Sequence, residues 1–161
     1  MEDWTLITTS SDQTQALGEC LGKQVQAGDI LCLEGELGAG KTTLIQGLGR
    51  GMGIEAPIIS PSFTLVREYR GRGGGPWLYH IDLYRLKAGP EVALLGLEDY
   101  LYGQGVCAIE WAERAKELLP RERLWIHLEY ADEEMRKIAF RAEGARYRIL
   151  LEEVQGACSW R

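Results

Sequence analysis

Short apolar runs and segments of helical periodicity alternate along the first part of the chain. Residues 4–9 (WTLITT) predict a strand, and residues 29–34 (DILCLE) form a short apolar run typical of a strand buried on both faces of a parallel sheet. Between them, SSDQTQALGECLGKQV starts with polar capping residues and then carries apolar residues at helical spacing. Another helix is predicted from Lys41 to about Gly49. This order of elements is typical of an α/β fold.

The middle of the chain predicts a β-hairpin and then another buried strand. SFTLVREY and PWLYHIDLY flank the glycine-rich residues 70–75 (RGRGGG), and both arms carry β-branched and aromatic residues. AGPEVALLGLEDYL predicts a short helix opened by Pro90, and residues 106–111 (VCAIEW) predict a fully apolar strand. The following segment, AERAKELL, predicts a short helix that is stopped by Pro120.

The last part of the chain contains three segments separated by turns, RLWIHLEYA, KIAFRAEG and RYRILLEEV. We interpret all three as strands, because apolar and polar residues alternate in each of them. A length of 161 residues allows one full hydrophobic core. The sequence therefore predicts a single α/β domain over residues 1–161, with a mixed, mostly parallel sheet flanked by helices and an antiparallel C-terminal edge.

Charge and composition restrict the possible functions. A net charge of −6 argues against broad, charge-driven binding of nucleic acid, so any bound anion must be held by local geometry. No apolar run is long enough to cross a bilayer and the N-terminus does not resemble a signal peptide, so we expect a cytoplasmic protein without membrane partners. The four cysteines lack C-x-x-C spacing, which favours reduced thiols.

A phosphate-binding motif lies between the second strand and the second helix. Residues 35–42 (GELGAGKT) fit the pattern G-x-x-x-x-G-K-[ST]. The glycines at positions 35, 38 and 40 let the backbone curl so that successive N–H groups point inward, and the helix N-terminus adds its positive dipole end. The motif therefore predicts a P-loop that holds a polyphosphate. A glycine-rich turn without a ligand is the alternative.

The side chains of the motif have separate predicted roles. We expect Lys41 to reach the β and γ phosphates and the Thr42 hydroxyl to bind a Mg²⁺ ion that bridges them. Thr43 is placed for the α phosphate. The predicted fold is accordingly P-loop NTPase-like, with a polyphosphate and Mg²⁺ as the expected ligands.

Two carboxylates are predicted to reach this site. Glu110 ends a buried strand in the manner of a Walker B residue and is expected to bind Mg²⁺. Asp82, in HIDLYR, is expected to orient the attacking water or a water ligand of the metal. An ordinary strand-end carboxylate is the alternative for each. We interpret His80 and His127 as packed, hydrogen-bonded residues rather than bases.

The polar run SPSFT (residues 60–64) follows the P-loop helix, where switch segments that sense the γ phosphate occur in such proteins. Ser62 and Thr64 are the candidate switch residues. A simple turn at Pro61 is the alternative.

The motifs GELGAGKTT, SPSFTLVREY, HIDLYRL, LLGLEDYL and IEWAER, in this order and spacing, resemble the TsaE (YjeE) family of bacterial P-loop proteins. The resemblance runs from about residue 11 to residue 114. It implies an ATP-binding protein with weak ATPase activity that is required for threonylcarbamoyladenosine formation on the tRNA adenosine next to the anticodon. It also implies that the protein acts with TsaB and TsaD, and that it meets tRNA indirectly through that complex.

The resemblance also implies roles for individual residues. It places the nucleotide on the segment 38–43, Mg²⁺ on Thr42 and Glu110, and a catalytic or metal-orienting carboxylate on Asp82, and it marks Trp111 as an aromatic residue coupled to conformation. Ser62 stands where the family usually has threonine. Ser11 and Arg136 are the candidates for the adenine end. The residues implied to bind nucleotide are Ser11, Gly38, Ala39, Gly40, Lys41, Thr42, Thr43 and Arg136.

Three other functions compete with this interpretation. A small-molecule P-loop kinase has similar length and the same phosphate loop, but it needs an acceptor pocket and usually an arginine-rich lid. A regulatory GTPase is disfavoured, because guanine recognition commonly uses an N-K-x-D signature and the chain contains no asparagine. The third alternative is a nucleotide-gated binding module whose hydrolysis is incidental.

Overall fold

A seven-stranded mixed sheet forms the centre of the protein. The computed structural model describes residues 3–36, 38–59, 61, 66–84 and 96–158. Within these residues the strands are β1 (Trp4–Thr8), β2 (Ile30–Glu34), β3 (Val66–Tyr69), β4 (Leu78–Asp82), β5 (Val106–Glu110), β6 (Arg123–Asp132) and β7 (Met135–Glu143). The α-helices are α1 (Ser11–Gly22), α2 (Lys41–Gly51), α3 (Glu98–Leu101) and α4 (Ala145–Ala157).

The strand order is β1-β7-β6-β2-β5-β4-β3. The central strands β6, β2, β5 and β4 pair in parallel, and the pairs at both edges are antiparallel. The prediction of an α/β domain with a mixed sheet flanked by helices is therefore confirmed, and the parallel pairs lie in the middle of the sheet. Because β2, β5 and β4 run in the same direction, their carboxyl ends meet at one edge of the sheet, where ligands bind in open α/β folds.

The buried strands were predicted correctly from their apolar runs. Residues 30–33 of β2 and all five residues of β5 are buried. Leu33 of β2 and Asp82 of β4 both lie opposite Glu110 of β5 in the strand register. A glutamate at the end of a strand that is buried on both sides is therefore held beside the ends of its two neighbours.

The interpretation of RYRILLEEV as a strand was wrong, because the segment belongs to helix α4. Its buried residues are Tyr147, Leu150, Leu151 and Val154. This i, i+3, i+4, i+7 spacing is one face of a helix. The antiparallel edge is completed instead by β1, which pairs with β7 along its whole length.

Helices α1 and α2 approach each other unusually closely. A Cβ atom built on Gly18 would overlap the carbonyl oxygen of Leu44, and one built on Gly47 would overlap the carbonyl oxygen of Gln15. Small residues at these crossings allow the two backbones to touch. Helix α2, which follows the glycine-rich motif, is therefore fixed rigidly against α1.

The cysteines differ partly from expectation. Cys20 of α1 and Cys158, 138 residues later, are joined by a disulfide that ties the end of α4 to α1. Cys32 and Cys107 are free and buried in the core, as their apolar surroundings predicted. Spacing along the chain did not reveal the pair, because tertiary packing brings the two sulfur atoms together.

Other predicted elements are partly described. The hairpin is confirmed by the antiparallel pairing of β3 with β4 around a 3₁₀ turn at Arg72–Gly74. The segment AERAKELL is largely a 3₁₀ helix, Ala112–Leu118, with a kink at Ala115. The start of the helix predicted from Pro90 lies outside the described residues. No helix in the described ranges is long and apolar enough to cross a membrane.

Candidate nucleotide site

The loop between β2 and α2 lies at the edge of the sheet where the parallel strands end. We call residues 35–40 the glycine loop. Gly35, Gly38 and Gly40 have φ angles of 149°, 81° and 98°, in the region that disfavours residues with a side chain. At Gly35 a Cβ atom would also overlap the carbonyl oxygen of Leu128 on β6. Glycine is therefore required there both by conformation and by packing.

A cleft of about 370 Å³ opens above the glycine loop. It brings together most of the residues that the sequence implicated, although they come from four separate segments of the chain. The residues of this set that line the cleft are Gly38, Ala39, Gly40, Lys41, Thr42, Thr43, Asp82, Glu110, Trp111 and Arg136. Glu36 and Tyr84 also line it.

Lys41 is buried at the start of α2. Its Nζ donates to the carbonyl oxygens of Gly35 and Glu36 and lies 3.8 Å from the centre of the Trp111 ring. Burial lowers the pKa of the Lys41 ammonium group, and the nearby carboxylates, Glu110 first, oppose this shift. The cleft thus contains a partly desolvated cation, which has a strong electrostatic reason to bind an anion.

Glu110 lies between Thr42 and His80. The Thr42 Oγ1 is 3.4 and 3.5 Å from the two carboxylate oxygens, and His80 Nε2 is 2.6 Å from Oε2. His80 is completely buried, and Glu110 is only 4% exposed. The interpretation of His80 as a packed, hydrogen-bonded residue agrees with this geometry. Its partner was not anticipated, although His80 and Asp82 at i and i+2 of one strand must point to the same face.

Asp82 ends β4 beside Glu110. Its Oδ1 accepts a hydrogen bond of 2.9 Å from the backbone N–H of Tyr84, which fixes the carboxylate in a short turn. Burial raises the pKa of Asp82, and the charge of Glu110 adds to the shift, while the Tyr84 hydrogen bond opposes it. Two carboxylates are therefore held side by side at the mouth of the cleft.

Trp111 directly follows Glu110 in a left-handed backbone conformation with φ 58°. This conformation is uncommon for a residue with a large side chain. The indole ring packs against the Tyr84 ring, with centroids 5.0 Å apart, and the Arg114 guanidinium lies 5.2 Å from it. Tyr84 and Arg114 were missed in the sequence, although both fall within the HIDLYR and IEWAER motifs.

Arg136 reaches the glycine loop from β7. Its guanidinium Nη1 donates to the carbonyl oxygens of Glu133 and Met135, and the group lies 4.9 Å from the Tyr130 ring centre. A Cβ atom on Gly40 would lie 3.6 Å from the Arg136 Cγ. Its Nε is buried without a hydrogen-bond partner among the described residues, so the site contains a donor suited to an additional acceptor.

Three predicted residues remain, Ser11, Ser62 and Thr64. Ser11 lies outside the lining of the cleft, and the Ser11 Oγ donates to Glu134 Oε1 at 3.0 Å, which joins the start of α1 to the β6–β7 turn. Ser62 and Thr64 lie outside the described residues. The switch prediction therefore stays a prediction.

The donor set fits a magnesium nucleotide. No group of three or more histidine, cysteine, aspartate or glutamate side chains is placed to hold a metal in the described part of the chain. Thr42 and Glu110 instead offer one hydroxyl and one carboxylate. Mg²⁺ is commonly held by only one or two protein oxygens together with substrate phosphates and water. The buried Arg136 Nε, which has no partner among the described residues, favours an anionic ligand beside this donor set.

Known proteins are similar to this chain in both sequence and fold. The family model described as "Threonylcarbamoyl adenosine biosynthesis protein TsaE" matches residues 8–138. The chain is 44% identical to the tRNA threonylcarbamoyladenosine biosynthesis protein TsaE of Bacillus subtilis, with 91% of this chain and 90% of that protein covered. The protein of the same name from Nostoc is 46% identical, with 82% of each chain covered.

A solved structure extends the similarity to the fold. The crystal structure of Bacillus subtilis YdiB superimposes with a TM-score of 0.82 at 39% identity and covers 97% of both chains. The family model alone spans well over half of the sequence, including the glycine loop, both carboxylates and Arg136. This chain therefore belongs to the TsaE family.

Proposed function

We propose that this protein binds ATP with Mg²⁺ in the cleft, hydrolyses it slowly, and supports threonylcarbamoyladenosine formation on the tRNA adenosine next to the anticodon. Membership of the TsaE family supports a role in tRNA threonylcarbamoyladenosine biosynthesis. The observation that carries the biochemical part is the convergence of the glycine loop, Lys41 and two strand-end carboxylates on one cleft.

The glycine loop and Lys41 would bind the phosphates. Positive φ angles at Gly38 and Gly40 turn the backbone at the N-terminus of α2, where N–H groups and the helix dipole favour an anion. Lys41 Nζ is now bound to loop carbonyl oxygens and the Trp111 ring. Phosphate oxygens would compete for the same ammonium group and neutralise its charge inside the cleft.

Thr42 and Glu110 would hold the metal. Mg²⁺, when bound there, would offset the negative charge of the β and γ phosphates. Glu110 is well suited to this position because its backbone ends a fully buried strand and its side chain is already 3.4 Å from the Thr42 hydroxyl. The protein supplies few ligands itself, so the nucleotide completes the site.

Asp82 would orient water at the γ phosphate. Its carboxylate is fixed by the Tyr84 N–H and lies at the end of the strand next to Glu110. Burial raises its pKa, which makes the carboxylate a better proton acceptor than an exposed aspartate. Burial thus disfavours the ionised form of this carboxyl group, as is common for side chains that work in clefts.

The partner proteins are TsaB and TsaD in this proposal. The chain would not transfer the threonylcarbamoyl group itself, and its ATP cycle would allow the assembly to turn over repeatedly. Contact with tRNA would be made through the complex, since the net charge of −6 disfavours direct binding over a broad surface. We place the complex in the cytoplasm.

The test is ATP hydrolysis with Mg²⁺, measured for the chain alone and with TsaB, TsaD and tRNA. Wild type is compared with Lys41→Ala and Glu110→Ala, and the matched controls are the exposed residues Lys23→Ala and Glu152→Ala. Stimulation that only the two cleft substitutions abolish supports the proposal. Wild-type hydrolysis by Glu110→Ala contradicts the site, and phosphorylation of an added metabolite favours a kinase instead.

A further inference from the structure

The short hydrogen bond between His80 and Glu110 has no role in the proposal above. The two side chains are 0% and 4% exposed, and Nε2 and Oε2 are 2.6 Å apart. We propose that His80 is a positioning residue, which holds the Glu110 carboxylate facing Thr42 and thereby strengthens the binding of nucleotide with Mg²⁺. This inference rests on the proposed nucleotide site.

The sheet brings the two residues together. In the parallel pair β4–β5, His80 lies opposite Ala108 and Asp82 lies opposite Glu110. His80 and Glu110 are therefore diagonal neighbours on the same face of the sheet. Such diagonal pairs are within reach of long side chains. Both backbones are fixed by the central sheet, so the contact is built on rigid elements rather than on a loop.

The hydrogen bond to His80 is the dominant polar contact of Glu110. It is shorter by 0.8 Å than the nearer of the two approaches to Thr42, at 2.6 Å against 3.4 Å. A short contact with a carboxylate restricts rotation of the whole group. His80 thus restrains the carboxylate through Oε2, in an orientation in which both carboxylate oxygens lie 3.4 to 3.5 Å from the Thr42 hydroxyl.

The surroundings of the second ring nitrogen indicate which nitrogen of His80 carries the hydrogen. His80 Nδ1 is buried and has no hydrogen-bond partner among the described residues. An N–H left without an acceptor in the interior is costly, and a neutral imidazole has one donor and one acceptor nitrogen. We therefore assign the hydrogen to Nε2, which then donates to Glu110. The ring then acts as a fixed donor behind the carboxylate.

This arrangement has a general physical rationale. Carboxylates that bind metals are themselves usually hydrogen-bonded, and loss of such an outer partner typically lowers metal affinity by roughly 10- to 100-fold. Without His80, the buried Glu110 carboxylate would lose its short hydrogen bond and rotate more freely. Loss of His80 should consequently weaken the part of the nucleotide affinity that depends on Mg²⁺. It should not weaken the part that the glycine loop supplies without the metal.

The experiment measures ADP affinity by calorimetry with Mg²⁺ and again with EDTA, for the full chain. The quantity compared is the ratio of the two dissociation constants. Three variants of one position are used: His80→Phe keeps a ring without a donor, His80→Gln places an amide donor near the position of Nε2, and His80→Asn has a shorter side chain. His127→Gln, at the only other histidine, is the control.

We expect Mg²⁺ to strengthen ADP binding by the wild type, His127→Gln and His80→Gln. In His80→Phe and His80→Asn we expect the strengthening of ADP binding by Mg²⁺ to be at least about tenfold smaller than in the wild type. Their affinity for ADP in EDTA should stay near that of the wild type. If the phenylalanine variant does not fold, the glutamine and asparagine pair carries the same comparison. In a Glu110→Gln background, His80→Phe should produce no further loss of the Mg²⁺ gain, because the two side chains act through one contact.

Three results would overturn the inference. One is a full Mg²⁺ gain in His80→Asn and His80→Phe. Another is an equal loss of affinity with Mg²⁺ and with EDTA, which is the result for a purely structural role. The third is an additive loss in the Glu110→Gln background. Failure of the wild type to bind ADP in either buffer would instead overturn the proposed function, and the inference with it.

Discussion

The ammonium group of Lys41 lies 3.8 Å from the centre of the Trp111 ring. The ring therefore contacts the cation that would meet the phosphates, while the backbone of Trp111 is held in the left-handed region directly after Glu110. A cation over an aromatic face contributes about 0.5–2 kcal/mol, depending on how far it is desolvated. Binding of a polyphosphate would exchange this contact for charge-assisted hydrogen bonds.

This contact makes Trp111 a reporter of the site. Because its ring would lose the adjacent cation, we expect tryptophan fluorescence to change when ADP and Mg²⁺ are added. The change should be largely absent in Trp111→Phe and preserved in Trp4→Phe, whose indole stacks on Phe140 at the far edge of the sheet. A titration that gives the same signal in Trp111→Phe as in wild type would contradict the predicted movement of Lys41.

Asp82 is expected to reduce stability at neutral pH. Its ordinary pKa is 3.8, and burial raises the pKa in the folded protein. The folded state therefore binds the Asp82 proton more tightly than the unfolded state. Stability is consequently lost as the pH rises from the ordinary pKa of the group through its raised pKa in the folded protein. Asp82→Asn keeps an oxygen for the Tyr84 N–H but removes the charge. We expect it to raise the melting temperature at pH 7.

The pH dependence separates this explanation from a general effect of the substitution. The gain from Asp82→Asn should shrink as the pH falls to about 4, since the wild-type carboxyl group is then increasingly protonated. Asp132→Asn, at an exposed position of β6, is the matched control and should leave the melting temperature nearly unchanged. Thermal unfolding at several pH values measures both. A gain in Asp82→Asn that does not vary with pH would argue against a charge effect.

The contact between α1 and α2 predicts a large effect of a single methyl group. In Gly47→Ala the added carbon overlaps the Gln15 carbonyl oxygen, so the helices must separate. We expect a loss of about 1–3 kcal/mol in the free energy of unfolding. Gly156→Ala is the control, because nothing lies within 4 Å of its added carbon in α4 and alanine favours a helix by about 0.5–1 kcal/mol. In urea denaturation, Gly47→Ala should lower the free energy of unfolding and Gly156→Ala should raise it. A change of the same sign in both variants would refute the close-contact explanation.

Arg136 is expected to contribute to nucleotide affinity. Its Nε is buried without a partner among the described residues, and its side chain lies against Gly40. Removal of one charge-assisted hydrogen bond costs roughly 1.5–3 kcal/mol, so Arg136→Ala should weaken ADP binding by about tenfold or more. Arg148→Ala, on the exposed side of α4, provides the comparison. Calorimetry measures ADP binding by both variants. If Arg136→Ala binds ADP as tightly as Arg148→Ala, Arg136 does not belong to the site.

The helix α4 shows why one element was assigned wrongly from the sequence. RYRILLEEV alternates at Tyr147, Ile149 and Leu151, which is compatible with a strand, but it also carries apolar residues at helical spacing. In the structure Ile149 is 54% exposed and Leu150 is completely buried. Only packing against α1 and the sheet distinguishes the two patterns, since a short apolar segment satisfies both periods.

The sequence by itself determined the elements whose cause is local. The glycine loop follows from glycine spacing and its place between an apolar run and a helix start, because positive φ angles are a property of single residues. The proximity of Asp82 and Glu110 also follows, since parallel strands end at the same edge of a sheet. The glycine loop needs no knowledge of distant parts of the chain, whereas the pairing of β4 with β5 that places Asp82 opposite Glu110 is set by the strand order of the sheet.

Tertiary structure alone decided the contacts that join distant segments. The approach of Arg136 to Gly40, the Cys20–Cys158 disulfide and the hydrogen bond from His80 to Glu110 depend on strand order, register and helix packing. The contacting residues are 30 to 138 residues apart in the chain, and burial in the folded protein stabilises their contacts. No local pattern encodes such partners, because many registers are compatible with the same alternation of apolar and polar residues.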